Sequence, residues 1–275
     1  MKLPFKVDLS EKVAVITGGG GVICSGFAAA LAACGCRVAL LDINEEAAKK
    51  AASEAGGECI AVKCDCLDKQ SLFAAKETVL QKFGKIDILI NGAGGNNPRA
   101  TTDNEYMTPD TVGKDFFSLD ESGLKFVFDL NITSAFLSTQ VFGAEMVKTG
   151  GNIINISSMN AYRPLTKIPA YSAAKAGVIN FTQWLAVHFA PCGIRCNAIA
   201  PGFFVTNQNR SLLFRDDGEP TPRTGKILAA TPMKRFGEVS ELYGTLLWLL
   251  CDEASGFVTG ITVPVDGGFS SYSGV

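Results

Sequence analysis

Val13-Ala-Val-Ile-Thr17-Gly-Gly-Gly-Gly21 decides the fold: an apolar run of strand length passes directly into glycines, and a helical stretch from Phe27 to Ala33 follows. Glycines are needed where a strand turns into a helix because the backbone must come close to a pyrophosphate, whose charge the helix N-terminus then favours. The arrangement recurs in outline further on. Ile86-Asp-Ile-Leu-Ile90 runs into Asn91-Gly-Ala-Gly94, and the run from Ile194 to Ala200 ends at Pro201-Gly202. Apolar runs alternate with amphipathic stretches along the chain, the pattern of repeated βαβ units and of a parallel sheet covered on both faces. Strands are expected at Val13 to Thr17, Arg37 to Asp42, Glu58 to Lys63, Ile86 to Asn91, Gly151 to Ile156, Ile194 to Ile199 and Thr262 to Val265. They make an α/β, doubly wound, seven-stranded parallel sheet with helices on both faces. Ligands of such sheets bind beyond the carboxyl ends of the strands, and each of these glycine motifs lies at such an end.

A chain of 275 residues with 47% hydrophobic content can bury one substantial core, and a single domain over residues 1–275 is expected. Net charge is −2 and no lysine or arginine block occurs, which argues against nucleic acid or an anionic membrane as partner. The opening Met1-Lys-Leu-Pro-Phe-Lys-Val-Asp8 carries a proline and an acid where a signal peptide needs an apolar run. No apolar stretch reaches membrane-spanning length, so a cytoplasmic protein is expected. Cys34-Gly-Cys36 and Cys64-Asp-Cys66 have neither zinc nor redox spacing, and the nine cysteines read as free thiols with no metal site. The single histidine, His188, has no Gly-x-Ser-x-Gly elbow to serve and reads as structural. Two polar stretches break the rhythm, at about 95–125 and 206–231, and loops of that length in a compact domain are usually functional or mobile. Both follow strand ends, so both can fold over one crevice.

Tyr171-Ser-Ala-Ala-Lys175 stands thirteen positions after Ser158. Tyrosine and lysine four apart on a helix project from one face, so the ammonium can approach the phenol and lower its pKa toward neutrality. A serine hydroxyl at the preceding strand end would hold the reacting oxygen. With the glycine turn, Asn91-Gly-Ala-Gly94 and Pro201-Gly202, these residues resemble the short-chain dehydrogenase/reductase family over nearly the whole chain. The resemblance implies a single-domain Rossmann fold and carbonyl reduction or alcohol oxidation with a bound dinucleotide. It implies Ser158, Tyr171, Lys175 and Asn131 as catalytic residues, with Asn131 holding a water that links the lysine to solvent. It also implies a homotetramer, with a dimer as the alternative.

The cofactor expectations follow. Gly18, Gly20, Gly21, Val22 and Ile23 form the turn, but the family's second and third glycines fall at Val22 and Cys24, where this sequence departs. Gly20 and Gly21 then supply flexibility one position early, and Gly26 permits close packing of helix on sheet. Asp42, followed by Ile43, ends the second strand, where a carboxylate accepts from ribose hydroxyls and repels a 2′-phosphate, so NAD is preferred over NADP. The aspartate could instead cap the next helix, a task Asn44 is equally placed to perform. The resemblance assigns Asp65 and Cys66 to the adenine, Asn91, Gly92 and Ala93 to the cofactor path, Pro201, Gly202 and Thr206 to the nicotinamide, and Tyr171 with Lys175 to its ribose. Asn91 could equally be architectural.

The loops bear on the substrate. Arg99 and Arg210 stand among Asn96, Asn97, Gln208 and Asn209, a mixture suited to a carboxylate together with several hydroxyls. Asn160, two residues past Ser158, is a further candidate, and Arg163 and Arg223 are alternative cations. These arginines could equally pair with Asp103, Glu105, Asp216 or Asp217. The loops resemble the sugar-acid branch of the family, which implies D-fructuronate or D-mannonate as the small-molecule substrate. A neutral polyol or another keto sugar acid of gluconate type remains open, as does a dinucleotide-binding regulator without catalysis.

Overall fold

The computed structural model describes residues 7–113, 115–206 and 210–274. Seven strands form one parallel sheet: β1 (Val13–Thr17), β2 (Arg37–Asp42), β3 (Cys59–Lys63), β4 (Ile88–Asn91), β5 (Gly151–Ile156), β6 (Ile194–Pro201) and β7 (Thr262–Val265). Their order is β3-β2-β1-β4-β5-β6-β7, so the chain winds outward from β1 in one direction and from β4 in the other. The strand order reverses between β1 and β4, the point at which a crevice opens above the sheet.

Side chains alternate across the sheet and divide the core in two. Ala14 and Ile16 of β1 pack with α1 (Val22–Ala33), α2 (Glu45–Ala55) and the Leu246–Leu250 face of a later helix. Val13 and Val15 face the opposite layer, built from α3 (Lys69–Phe83) and two helices further along the chain. Every residue of β1 is buried, which is why its sequence is an unbroken apolar run rather than an alternating one. Asn44 caps α2, accepting from Ala47 N at 3.1 Å, and Gly84 ends α3 in the left-handed conformation at φ 80°.

The strand starts at Glu58 and Ile86 are corrected to Cys59 and Ile88, and β6 runs on to Pro201. At β4 the cause is Asp87: its carboxylate accepts from Val13 N at 2.8 Å, and the ladder with β1 begins only at Ala14↔Ile88.

The stretch 95–125 is partly ordered into short turns at Pro98–Ala100, Pro109–Thr111 and Phe116–Ser118, and α4 (Glu121–Phe128) already begins within it, capped by Asp120. A π-helical turn, Asp129–Thr133, carries α4 into α5 (Ser134–Met146). After β5 comes α6 (Pro169–Phe189). The stretch 206–231 likewise contains α7 (Arg210–Leu213) and α8 (Pro222–Ala230), and α9 (Tyr243–Leu250) follows. Glu105 and Lys226 form an ion pair at 2.8 Å, so the two long stretches meet. Among the described residues no helix is long and apolar enough to cross a membrane.

Candidate active site

Three chain segments converge beyond the ends of β4 and β5. Lys175, one turn beyond Tyr171 on α6, is 4% exposed, and its ammonium donates to the Ile156 carbonyl at 2.8 Å. Ser157 Oγ in turn donates to the Lys175 carbonyl at 2.9 Å, tying the strand end to the helix. Asn131 sits inside the π turn, 2% exposed, and clamps the chain leaving β4: its Oδ1 accepts from Gly95 N at 3.1 Å and its amide donates to Gly95 O and Val127 O, both at 2.7 Å. A π turn rotates a side chain out of the regular helical register, and such turns gather at functional sites. A methyl on Gly94 would lie 2.8 Å from Asn131 Oδ1 and 2.9 Å from Lys175 Nζ. Glycine at this position therefore lets the asparagine and the lysine share one small space.

The Ser158 hydroxyl stands next to the Tyr171 phenol. The tyrosine packs against the buried cluster of Ala100, Val127 and Ala170, and Lys175 Nζ lies 5.7 Å from its ring centroid. Burial raises the phenol above its ordinary value and the neighbouring Ser158 hydroxyl partly opposes that rise. The expectation that Lys175 depresses the phenol is corrected here, because the ammonium is turned to the Ile156 carbonyl and is itself pulled down to about 8 by burial. Ser158 Oγ also accepts from Asn160 N at 3.2 Å, so it caps the turn Met159–Ala161 as well as meeting the tyrosine. One oxygen thus serves both the local backbone and the phenol.

The glycine turn differs from its expected path. Only Gly18 uses a left-handed backbone, at φ 66°; Gly21 is extended and is the N-cap of α1. Gly19 and Gly20 are required for space, since an added methyl would stand 2.7 Å from Leu40 Cβ and 2.7 Å from Ala47 Cβ respectively. Gly26 packs on Tyr243 and Val239, not on the sheet. Val22 and Ile23 occupy the first turn of α1, which holds no acid and no side-chain cap, so its amides are available to an anion. Cys24 takes the family's third glycine position by pressing its Sγ onto Gly92, where any side chain would overlap it. Asp42 Oδ2 accepts from Gly20 N at 3.0 Å and Oδ1 from Asn44 N at 2.9 Å, and Asn44 itself is the helix cap. Asp42 thus sets the glycine turn, at the end of β2, where ribose hydroxyls would meet a carboxylate. Crowded glycines, an open helix start and this carboxylate fit a dinucleotide.

The remaining cofactor candidates divide. Ile43 is 66% exposed beside Asp42. Asp65 Oδ1 accepts from Leu67 N at 2.9 Å, holding the turn after β3 that carries Cys66. Gly92 N and Ala93 N donate to Thr17 Oγ1 at 3.1 and 3.3 Å. Gly202 sits against Asp266, whose Cα would lie 2.5 Å from an added methyl, and its N–H donates to Val265 O at 2.9 Å. Thr206 accepts at its carbonyl from Arg210 N at 3.0 Å. Asn91 is corrected: its side chain points into the protein, donating to Asn155 Oδ1 at 2.8 Å and Thr139 Oγ1 at 3.0 Å. Asn155 continues to Thr182 Oγ1 at 2.9 Å, so this network pins β4, β5, α5 and α6 together. Sequence reasoning missed the Asn155–Thr182 half and the role of Thr17; the one visible signal was polar residues placed in otherwise apolar strands.

Among the substrate candidates, Asn160 is buried with its Oδ1 unpartnered, whereas Asn96 is tied back to Thr101 Oγ1 at 2.9 Å. Arg99 is exposed and electrostatically close to Asp120, on a cleft of about 300 Å³ that also takes in Thr102 and Asp103. Arg210 lies over the Phe214 ring at 5.9 Å, and Arg163 Nε donates to Ser270 O at 3.1 Å. Gln208, with Asn207 and Asn209, lies outside the described residues. Glu105 pairs with a lysine rather than an arginine. His188 stacks on Trp184 at 4.5 Å near the far end of α6, away from Ser158. The nine cysteines are free thiols.

A doubly wound sheet bearing a serine, tyrosine, lysine and asparagine at its switch point defines an oxidoreductase, and the chain belongs to the short-chain dehydrogenase/reductase family. The family model described as enoyl-(acyl carrier protein) reductase matches residues 21–270. An uncharacterized oxidoreductase of Bacillus subtilis, UxuB, is 56% identical over 99% of this chain and 100% of its own length. A crystal structure of a Haemophilus protein proposed to be a D-mannonate oxidoreductase, with bound NAD, superposes with a TM-score of 0.93 at 55% identity, covering 98% of each chain. The 2-dehydro-3-deoxy-D-gluconate 5-dehydrogenase of Dickeya dadantii is 33% identical over 95% of this chain and 96% of its own.

Proposed function

We propose that this protein transfers hydride between NAD(H) and a sugar acid, the pair D-fructuronate and D-mannonate above others. The observation that carries the reading is the Tyr171 phenol with the Ser158 hydroxyl beside it and the buried Lys175 ammonium 5.7 Å from its ring, at the strand ends. NAD, when bound, supplies or takes up the hydride. The first turn of α1, with Gly18, Gly20 and Gly21, would hold its pyrophosphate, Asp42 the adenosine ribose, and Tyr171 with Lys175 the nicotinamide ribose. In reduction the Tyr171 hydroxyl, kept protonated by its burial, gives its proton to the substrate carbonyl oxygen. Ser158 Oγ donates a hydrogen bond to the same oxygen as charge builds on it, an effect worth about 3 to 4 kcal/mol of barrier for a preorganised donor. Lys175 and Asn131, sharing the space over Gly94, return a proton toward the tyrosine side. Oxidation runs through these groups in reverse.

The family model is described by a different reaction, so family alone does not select a substrate. Support for a sugar acid comes from the polar, arginine-bearing stretches and from the Haemophilus relative. The Dickeya relative favours a second keto sugar acid, of deoxygluconate type. We further infer a cytoplasmic homotetramer, with the exposed Phe126 and Phe128 of α4, Phe136 of α5 and Trp184 and Val187 of α6 as its contact faces. The test is NADH oxidation with D-fructuronate, 2-dehydro-3-deoxy-D-gluconate derivatives and uncharged ketoses, each repeated with NADPH. D-Fructuronate with NADH should be fastest; no consumption with any sugar acid would remove the assignment.

A further inference from the structure

Lys167 is held in the left-handed region at φ 74°, one residue before the cap of the helix that presents Tyr171. A lysine there is strained, and such strain persists only where surrounding contacts impose it. Two contacts do so, both with the segment after β4. The Lys167 carbonyl accepts from Thr102 N at 2.8 Å, and its ammonium donates to the Asp103 carbonyl at 2.7 Å. Thr102 Oγ1 donates onward to Asn104 O at 2.8 Å, and Glu105 then reaches Lys226 of α8. The strained residue therefore stands first in a chain of bonds that joins the start of α6 to both long stretches over the crevice.

We propose that Lys167 is a positioning residue, latching the 101–105 segment to the start of the Tyr171 helix so that the substrate wall stands over the tyrosine. This rests on the sugar-acid reading for its substrate. The ammonium is suited to the task because one long side chain and its own carbonyl grip two successive residues. The latch touches neither the glycine turn nor Asp42, so the pyrophosphate and adenosine ends of the dinucleotide lie outside its reach.

Lys167→Met, Lys167→Gly and Lys167→Arg in the full chain test this, using amide exchange over residues 101–105, NADH affinity, and the kinetics of D-fructuronate reduction. Lys167→Met should raise exchange of the Thr102 amide about tenfold and KM about tenfold, with kcat and NADH affinity within about twofold. Lys167→Arg should restore most of the KM, whereas Lys167→Gly, which relieves the backbone but carries no donor, should not. Unchanged exchange in Lys167→Met, raised exchange with unchanged KM, full rescue by glycine, or an equal loss of NADH affinity would each overturn the latch. Absence of D-fructuronate turnover in the unaltered protein would sink the substrate reading alone, and the exchange data would still decide whether the latch exists.

Discussion

Gly92→Ala is the sharpest probe of how this chain replaces the missing glycine of its cofactor turn. A methyl at residue 92 would overlap Cys24 Sγ outright and stand 2.8 Å from the Thr17 carbonyl oxygen, whereas Cys24 Cβ, at 3.8 Å, is in ordinary contact. Neither neighbour can swing aside, because Cys24 is buried in the first turn of α1 and Thr17 ends the fully buried β1. Overpacking of this kind costs about 2 kcal/mol, which in a chain of this size lowers Tm by roughly 4 to 8 °C. Because residues 92–95 also carry the amides held by Thr17 and the backbone held by Asn131, NADH affinity should fall with stability. Cys24→Ala removes the sulfur and leaves the milder Thr17 contact, so the double variant should recover at least about 1 kcal/mol relative to additivity. Thermal melts and NADH titrations of the four proteins give the coupling directly. Additive losses within error would refute the account of Cys24 and Gly92 as one packed unit.

Lys175 predicts a pH dependence with a definite sign. Its folded pKa of about 8 lies below the ordinary 10.5, so between these values the unfolded chain holds more of this proton than the folded protein does. The penalty for burying the ammonium is therefore full below pH 8, and stability contributed by this group rises with pH through the window, by on the order of 3 kcal/mol. Lys175→Met should lose that slope in denaturant midpoints taken at about pH 8 and about pH 10, and equal slopes would contradict the burial argument. Asp42→Asn removes the charge that repels a 2′-phosphate while giving up one of the two main-chain hydrogen bonds the carboxylate accepts, so overall dinucleotide affinity should fall and NADPH affinity should rise at least about tenfold relative to NADH; an unchanged ratio in fluorescence titration would show that Asp42 does not select the cofactor.

The central strands are readable in the sequence because they are buried on both faces: β1, β2 and β5 begin and end where expected, and β7, a half-buried edge strand, does so as well. The later start of β4 has a local cause, since Asp87 pairs with a main-chain amide that the ladder would otherwise use, and no hydrophobic pattern records that. Ser158, Tyr171, Lys175 and Asn131 are legible from spacing and resemblance, and they do assemble. What spacing does not convey is direction. Asn91 sits at the expected strand end yet turns inward to Asn155, and Lys175 lies beside Tyr171 yet directs its hydrogen bond to a main-chain carbonyl. The departures at Val22 and Cys24 are visible in the sequence, but what accommodates Cys24 lies roughly seventy residues away at Gly92, a contact that only the folded chain brings about. Lys167 escapes a sequence reading for a related reason: its significance is a backbone angle, and lysine carries no sequence signal for φ above zero.

The central claim is that the Tyr171 hydroxyl is the acid and base of a hydride-transfer site built on this sheet. It is tested most directly by measuring NADH binding and D-fructuronate turnover on one preparation of Tyr171→Phe. The account predicts NADH affinity within about threefold of the unaltered protein and turnover lower by at least about a thousandfold, because the phenol is the group assigned to exchange the proton with the substrate oxygen. Turnover retained within about tenfold at unchanged affinity would contradict it.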